Sequence, residues 1–414
     1  MASFVLKYDK EGELCSAHRQ ACASMSAMSK RPRSPGDSSS GRTTTKRPAA
    51  QQVKQKHIYL VVDDWERGYS IYKINEDDFD SDDSSLDDAR AAEPPFVRME
   101  AKHPYSWSFV AHGSKILAMQ PHKSSPGLPS FDTETLAVSS FPPPLSRGDI
   151  GGKPVYVSAG DRLLAFYYPF VEVLAPEPEP EPSTTTTPAA RDDEKKEASW
   201  SWTVVEKPQF VSAKVSSYAV HTDGRTVFMS VKNWRPGGRA TVSDSLSKTW
   251  NSTFTFDMET LEFAHAGEWI MPFKGRAHYD TDLDAWVGLC LYPEGAGRVC
   301  SCDVPPRSSG CGSAPAWKLG RDVFFDRKDS PSEVHLGATL VYDGDGRFCV
   351  LERRMPTEED PSKRIRVVKM TSFALKYDKD GDLRRTRHCT YASVSYEVAH
   401  KRIDRHENPV AFWM

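Results

Sequence analysis

Along most of this chain, short apolar runs alternate with tight polar turns. The clearest copy is Thr339-Leu340-Val341-Tyr342, then Asp343-Gly344-Asp345-Gly346, then Arg347-Phe348-Cys349-Val350-Leu351. Glycine supplies the positive φ that tight hairpin turns need, so this stretch predicts a β-hairpin. Weaker copies occur at Ile58–Ile74, Ser108–Met119, Val155–Phe166, Tyr218–Met229 and Ala277–Leu289. Their turns centre near residues 66, 113, 160, 224, 282 and 344. Successive turns lie about 45 to 65 residues apart, the spacing of four-stranded propeller blades with loop insertions.

A second element recurs between the hairpins. Phe131-Asp132-Thr133-Glu134-Thr135-Leu136 and Phe256-Asp257-Met258-Glu259-Thr260-Leu261 are near copies. In each, a strand enters, an aspartate starts a turn, and an outer strand leaves. Each copy comes after a hairpin, which makes a unit of about four strands. Residues 176–198 interrupt the third unit with a Pro/Glu-rich, then Thr-rich, then charged run. Such a run is expected to be a solvated, disordered loop. No amphipathic helix of normal length is visible. The expected fold is all-β: a single β-propeller over residues 57–400, with six blades, or seven as the alternative.

The two ends of the chain are related. Ser3-Phe4-Val5-Leu6-Lys7-Tyr8-Asp9-Lys10-Glu11-Gly12 returns as Ser372-Phe373-Ala374-Leu375-Lys376-Tyr377-Asp378-Lys379-Asp380-Gly381, and the match runs on without a gap to Ala392-Ser393. Residues 1–26 are therefore a duplicated copy of the C-terminal strand segment. A contiguous strand holds its slot more cheaply than a tethered rival, so the C-terminal copy is expected to fill the last unit and the N-terminal copy to hang loose; the alternative is that residues 1–26 compete with or replace that strand, a swap that could also link two molecules. Residues 27–56 are rich in Ser, Thr, Pro, Lys and Arg and poor in large apolar side chains, the composition of a disordered basic linker. Residues 401–414 are read as a C-terminal tail.

Composition narrows the class. The 414 residues carry a net charge of -3, which argues neither for nor against nucleic acid. The first thirty residues lack the uninterrupted apolar core expected of a signal peptide, and no run of about eighteen apolar residues, long enough to cross a membrane as a helix, is present. With 8 cysteines in so long a chain, the expectation is an intracellular protein with reduced thiols. Asn251-Ser252-Thr253, a glycosylation pattern, would then be idle. The folded part has no basic stretch interleaved with aromatics, which argues against direct nucleic-acid binding.

Candidate chemistry is sparse. Cys300 and Cys302, with Cys311 and Cys290, suggest zinc, but structural zinc pairs are usually spaced by two to four residues, and buried free thiols on an outer strand are the favoured reading. Asp63, Asp64, Asp223, Asp280, Asp282, Asp284, Asp343 and Asp345 could ring one mouth of a propeller and hold a cation; their simpler reading is as turn formers. His278 reads as a packed strand residue. No catalytic set, metal site or cofactor site is assigned. Lys30, Arg31 and Arg33, a spacer, then Lys46 and Arg47 form a bipartite basic pattern that resembles a nuclear-import signal. It implies an import receptor as one partner and residence in nucleus and cytosol.

Phe-Asp-x-x-Thr, one tight turn per unit and a tryptophan late in several units resemble kelch-type β-propellers, although the paired glycines of that repeat are missing from most units; Gly151-Gly152 is not inside an inner strand. The runs His57–Ile74 and Ser106–Gln120, with Trp286-Val287-Gly288-Leu289 and Cys300-Ser301-Cys302-Asp303, are similar to a large plant family, expanded in grasses, known as a domain of unknown function. The resemblance implies a propeller-like fold over residues 57 to about 400 and carries no activity. The expectation is a monomeric, non-catalytic protein-interaction scaffold; the alternative is a sugar- or metabolite-acting enzyme using the central pocket.

Overall fold

The computed structural model describes residues 2–8, 14–21, 55–82, 90–91, 94–101, 107–119, 127–145, 154–167, 170–177, 199–205, 208, 210–232, 251–307, 313–326, 332–357, 364–386, 388–399 and 408–414. For 2–8, 14–21 and 90–91 it describes the backbone only. Residues 27–54 of the expected 27–56 linker and residues 178–198 of the 176–198 insertion lie outside the described residues.

The protein is all-β, and no α-helix occurs among the described residues. The chain forms β1 (Ala2–Tyr8), β2 (Leu14–Ala21), β3 (Ile58–Trp65), β4 (Gly68–Ile74), β5 (Arg90–Ala91) and β6 (Val97–Glu100). A four-stranded sheet comes next: β7 (Ser108–His112), β8 (Lys115–Met119), β9 (Leu128–Asp132) and β10 (Val138–Phe141). Another is made of β11 (Val155–Ala159), β12 (Arg162–Tyr167), β13 (Phe170–Pro176) and β14 (Trp200–Val205). An eight-stranded sheet joins β15 (Val215–Val220), β16 (Thr226–Lys232), β17 (Asn251–Asp257) and β18 (Glu262–Gly267) to β19 (Gly275–Asp280), β20 (Ala285–Leu289), β21 (Arg298–Asp303) and β22 (Trp317–Val323). The last sheet contains β23 (Glu333–Tyr342), β24 (Arg347–Pro356), β25 (Ile365–Tyr377), β26 (Leu383–Arg385) and β27 (Thr390–Glu397). Finally, β28 (Val410–Trp413) returns to the first sheet, whose order is β2-β1-β6-β4-β3-β28.

Each run is an antiparallel meander. In the eight-stranded sheet two meanders meet where β15 and β19 pair in parallel, Ser217 opposite Gly275 and Ala219 opposite Ala277. The first strands of other runs are also neighbours: β7 lies against β11, β19 against β23, and β23 against β28. In these runs the first strands lie side by side and the later strands step away from them. The second strands are buried on both faces, as their continuous apolar runs require; Leu163-Leu164-Ala165-Phe166 in β12 and Ala285-Trp286-Val287-Gly288-Leu289 in β20 are buried throughout.

Six hydrophobic clusters occupy the described residues, and each is lined by two successive runs. Tyr59, Ile71, Ile116 and Phe131 join the first run to the second. Val157, Phe166, Val227 and Phe256 join the third to the fourth. Ile58, Leu60, Val341, Leu351, Val368 and Trp413 join the last run to the first. Burial of this order, at about 25 cal/mol per Å² of apolar surface, is what holds runs that share no backbone ladder.

The hairpins predicted at 113, 160, 224, 282 and 344 are the first two strands of their runs, β7–β8, β11–β12, β15–β16, β19–β20 and β23–β24. The hairpin at 66 forms too, as β3–β4, but one position further out. The reason is β28. Residues read as a tail supply the first strand of the first sheet, with Val410 opposite Val61 and Trp413 opposite Ile58. His57 and Met414 exchange backbone hydrogen bonds at 2.7 and 3.0 Å. A four-residue strand carries too little periodicity to be seen from sequence.

The duplicated ends also differ from expectation. The C-terminal copy fills the third and fourth places of the last meander, β25 and β27, as expected. The N-terminal copy does not hang loose. It forms the hairpin β1–β2, and β1 pairs in parallel with β6, Phe4 opposite Val97 and Leu6 opposite Met99. The two copies take different slots, so they do not compete.

The Cβ of an alanine at Gly68 would lie 1.9 Å from the Met99 carbonyl oxygen, with no flexible side chain to yield. Gly68→Ala is expected to cost about 2 kcal/mol or more, within the range for overpacked sites. Trp413, 9% exposed within the cluster between the last and first runs, is expected to cost about 3 to 5 kcal/mol on truncation to alanine. Urea melts of both variants against the parent check these values; a loss below about 1 kcal/mol for Trp413→Ala would contradict the packing described.

Candidate functional site

The turn aspartates are structural. Asp223 Oδ1 accepts the amides of Arg225 and Thr226, at 2.9 and 2.8 Å, and Oδ2 accepts the Thr226 hydroxyl at 2.7 Å. Burial alone would raise this carboxyl, but the hydrogen bonds outweigh it and hold the pKa at about 2. Asp280 accepts the Leu283 amide at 2.9 Å, and Asp343 accepts those of Asp345 and Arg347 at 2.7 and 3.0 Å. The paired Phe-Asp elements share one geometry. Asp132 accepts the amides of Glu134 and Thr135, and Asp257 those of Glu259 and Thr260. Leu136 and Leu261 then both take positive φ, 58° and 62°. Among the described residues no group of three His, Cys, Asp or Glu side chains is placed to hold a metal.

The thiols are packing groups. Cys290, Cys300 and Cys302 are buried together beside Trp269, Phe273 and Trp286; Cys311 lies outside the described residues. Cys300 and Cys302 lie on β21, the third strand of its meander rather than the outer one, and Cys290 directly follows β20. Burial raises the Cys300 thiol well above its usual range and, with nearby Asp303, pushes Cys302 up to about 12. Such thiols are poor nucleophiles and poor metal ligands. His278 faces the Leu340 carbonyl at 3.2 Å and is held neutral, its pKa pulled down to about 3 by burial and by Arg276.

The apolar run that predicts a strand up to Leu351 continues as charged residues, and the strand continues with it. Glu352, Arg353 and Arg354 extend β24 and are 5%, 4% and 9% exposed. On one face, Glu352 lies 2.7 Å from His335 Nδ1 and 2.9 Å from Arg354 Nε. Glu333 lies 3.4 Å from Arg354 and 3.1 Å from Lys369. Phe325 stacks on the His335 ring at 5.1 Å and 6°. Burial works against the Arg354 charge, but Glu352 and Glu333 outweigh it and raise its pKa. A histidine beside a carboxylate can move protons, but here the imidazole is capped by Phe325 and the carboxylate is shared with an arginine. The group clamps three strands of the last sheet at one end. Three consecutive charged residues extending an apolar strand are the signal in the sequence that could have found it.

A different surface is exposed. Trp317 and Val323, at the two ends of outer strand β22, are 39% and 55% exposed. Tyr292 stacks on Trp317 at 5.5 Å and 26°. Arg298 braces the strand through the carbonyls of Gly320 and Arg321, at 3.4 and 3.3 Å. Lys318 lies over the Tyr377 ring at 4.7 Å and donates to the Gly381 carbonyl at 2.9 Å, and Arg321 pairs with Asp382. The strand is therefore fixed in place by the last sheet, while its aromatic pair stays partly in water.

The predicted import residues Lys30, Arg31, Arg33, Lys46 and Arg47 lie outside the described residues. The chain's path becomes described at Gln55, and Lys56 Nζ meets Asp345 Oδ2 at 2.5 Å and the Asp343 carbonyl at 2.6 Å. No helix of the described residues is long and apolar enough to cross a membrane.

This meandering all-β architecture is propeller-like. Residues 55–392 match the family described as protein of unknown function (DUF1668), and the chain belongs to that family. No curated protein matches it. Among solved structures, it is similar to Kuenenia stuttgartiensis hydrazine synthase at 12% identity, covering 66% of this chain and 62% of that one, with a TM-score of 0.28. It is similar to the Myceliophteria thermophila Cps50 (Swd1) β-propeller domain at 14% identity, covering 44% and 49%, with a TM-score of 0.25. A third is oligogalacturonate lyase from Vibrio parahaemolyticus, at 10% identity, covering 66% and 74%, with a TM-score of 0.26. The chain thus spans less than two thirds of the first two.

The His278 shift has a sign. The folded pKa lies below the unfolded value of 6.5, so the stability it represents is complete above pH 6.5 and is lost as pH falls towards 3. The expected loss between pH 7 and pH 4 is roughly 3 kcal/mol. A His278→Gln variant, less stable at pH 7, is expected to show a flatter slope over that window. An unchanged slope would assign the acid sensitivity elsewhere. Glu352→Gln leaves Arg354 and His335 facing a neutral amide and is expected to cost about 3 kcal/mol or more by urea melt. A neutral effect would show that the clamp contributes nothing.

Proposed function

We propose that this protein is a non-catalytic interaction scaffold: a six-bladed β-propeller, closed by β28 at its first blade, whose partner is another protein. The blade count rests on the meanders and the six clusters between them. The observation that carries the function is the outer edge at Trp317. A tryptophan backed by a stacked tyrosine, with Val323 beyond it and basic side chains fixed alongside, has the make-up of a protein-binding hot spot. Several polar groups among the described residues that could do chemistry have structural tasks: Asp223 and Asp280 hold turns, the thiols of Cys290, Cys300 and Cys302 fill a core, and His335 and Glu352 clamp a sheet.

The test is affinity purification of the full chain beside Trp317→Ala with Val323→Ser. The parent is expected to recover a defined protein that the double variant recovers at least tenfold less well, with both melting alike. Equal recovery by both would move the interface elsewhere. No partner, together with turnover on a panel of sugars and metabolites, would favour the enzyme.

Residues 27–56 are proposed to carry the chain between cytosol and nucleus through an import receptor. A reporter too large to diffuse through pores, fused to them, is expected to enter the nucleus; exclusion would overturn this role, as would entry unchanged by Lys46→Ala with Arg47→Ala.

A further inference from the structure

The outermost β-strand of the first meander, β6, does not end its sheet. On one side it pairs with β4, Tyr69 opposite Met99 and Ile71 opposite Val97. On the other it receives β1 in parallel, through Phe4–Val97, Val5–Arg98 and Leu6–Met99. An edge strand's free amides and carbonyls are a template for another chain's strand. Here the template is filled by a hairpin from the same chain.

That hairpin is a second edition of one in the last sheet. Tyr8 is in register with Leu14 in the first, and Tyr377 with Leu383, the corresponding residues, in the second. The C-terminal edition is continuous with its sheet: β25 pairs with β24 over Arg347–Arg354 and with β27 on its other side. The N-terminal edition meets its sheet through three register pairs and reaches it through residues 22–54. A connection of about 33 residues can extend up to about 110 Å. It holds the hairpin near its own edge and equally permits it to reach a neighbour's.

We propose that the side of β6 facing away from β4 is a strand-docking site, that Ala2–Ala21 is its tethered and displaceable occupant, and that the equivalent hairpin of a second copy of this chain takes the same place in trans. Every copy carries both the hairpin and the edge, so exchange preserves every register pair. In dilute solution the tether favours the internal occupant, whose effective concentration is on the order of millimolar. At higher local concentration, exchanged hairpins link two molecules edge to edge. This surface lies on the first sheet, apart from the Trp317 edge, and does not depend on the scaffold reading.

The test keeps the chain whole until it is folded. A protease site is inserted between Pro35 and Gly36, and the folded protein is cleaved. The N-terminal fragment is expected to co-elute with the body at high concentration and to leave it on dilution. A fluorescent peptide of residues 2–21 is then expected to bind the fragment-free body saturably, and the uncleaved chain at least tenfold more weakly. Amides of Val97–Glu100 are expected to exchange faster in the fragment-free body and to slow again when peptide is added. Mixed full-length chains carrying donor and acceptor dyes on residue 2 and on the body, respectively, are expected to show energy transfer that rises with concentration and is suppressed by the peptide. The proposal is overturned if the fragment separates at every concentration and the peptide does not bind. It is equally overturned if the fragment resists a hundredfold excess of peptide, if the peptide binds both forms alike, or if no transfer develops between chains.

Discussion

The structure depends on a four-residue strand at the end of the chain. β28 lies against β3 on one side and β23 on the other, so it belongs at once to the first sheet and to the space beside the last. Without it β3 would present a free edge, and the cluster around Leu60, Leu351 and Trp413 would lose one wall. The seam is held in other ways as well. Asp80 and Tyr391 exchange backbone hydrogen bonds at 2.8 and 2.7 Å, and Arg90–Ala91 lies parallel to Val394–Ser395. Arg347 pairs with Glu76, and Lys56 with Asp345. Contacts from residues 56 to 91 thus fasten the start of the fold to its end, where no covalent continuity does so.

This arrangement explains why so many polar side chains near the turns lack chemical freedom. Meanders without helices need a tight turn at every reversal, and each turn leaves backbone amides that something must accept. Aspartate does this repeatedly, at 132, 223, 257, 280, 343 and 378. The acidic character of the chain's turns comes from that requirement. It does not imply a cation site. Inside, the spaces between runs are filled with aromatics and thiols, and their burial removes the reactivity the residue types would otherwise have.

Much of the fold was legible because the responsible signals are local. Asp-Gly and His-Gly turns fix hairpins within a dozen residues, and alternation fixes which strands are half exposed. The duplicated Phe-Asp element was legible for the same reason. What escaped was non-local. Nothing in Val410-Ala411-Phe412-Trp413 says that its partner lies some 350 residues earlier, so the local pattern could not show that the first hairpin supplies the second and third strands of its run. Identity between the two ends showed the duplication of Ser3–Tyr8 but not that each copy has its own slot. For the site the balance reverses. The structural readings of Asp223 and His278 hold, and Cys300 is buried as read but on the third strand instead of the outer one, while Trp317, Glu352 and His335 gain their neighbours only through folding.

The C-terminal strand is an integral part of the core and not an appendage. Native-state hydrogen exchange of the Val410–Trp413 amides tests it most directly. Integral membership predicts that the hydrogen-bonded amides of these residues exchange only through global unfolding, with the same denaturant dependence as Leu60 and Leu351. Exchange at the rate of a frayed terminus, insensitive to denaturant while the rest of the core stays protected, would contradict it.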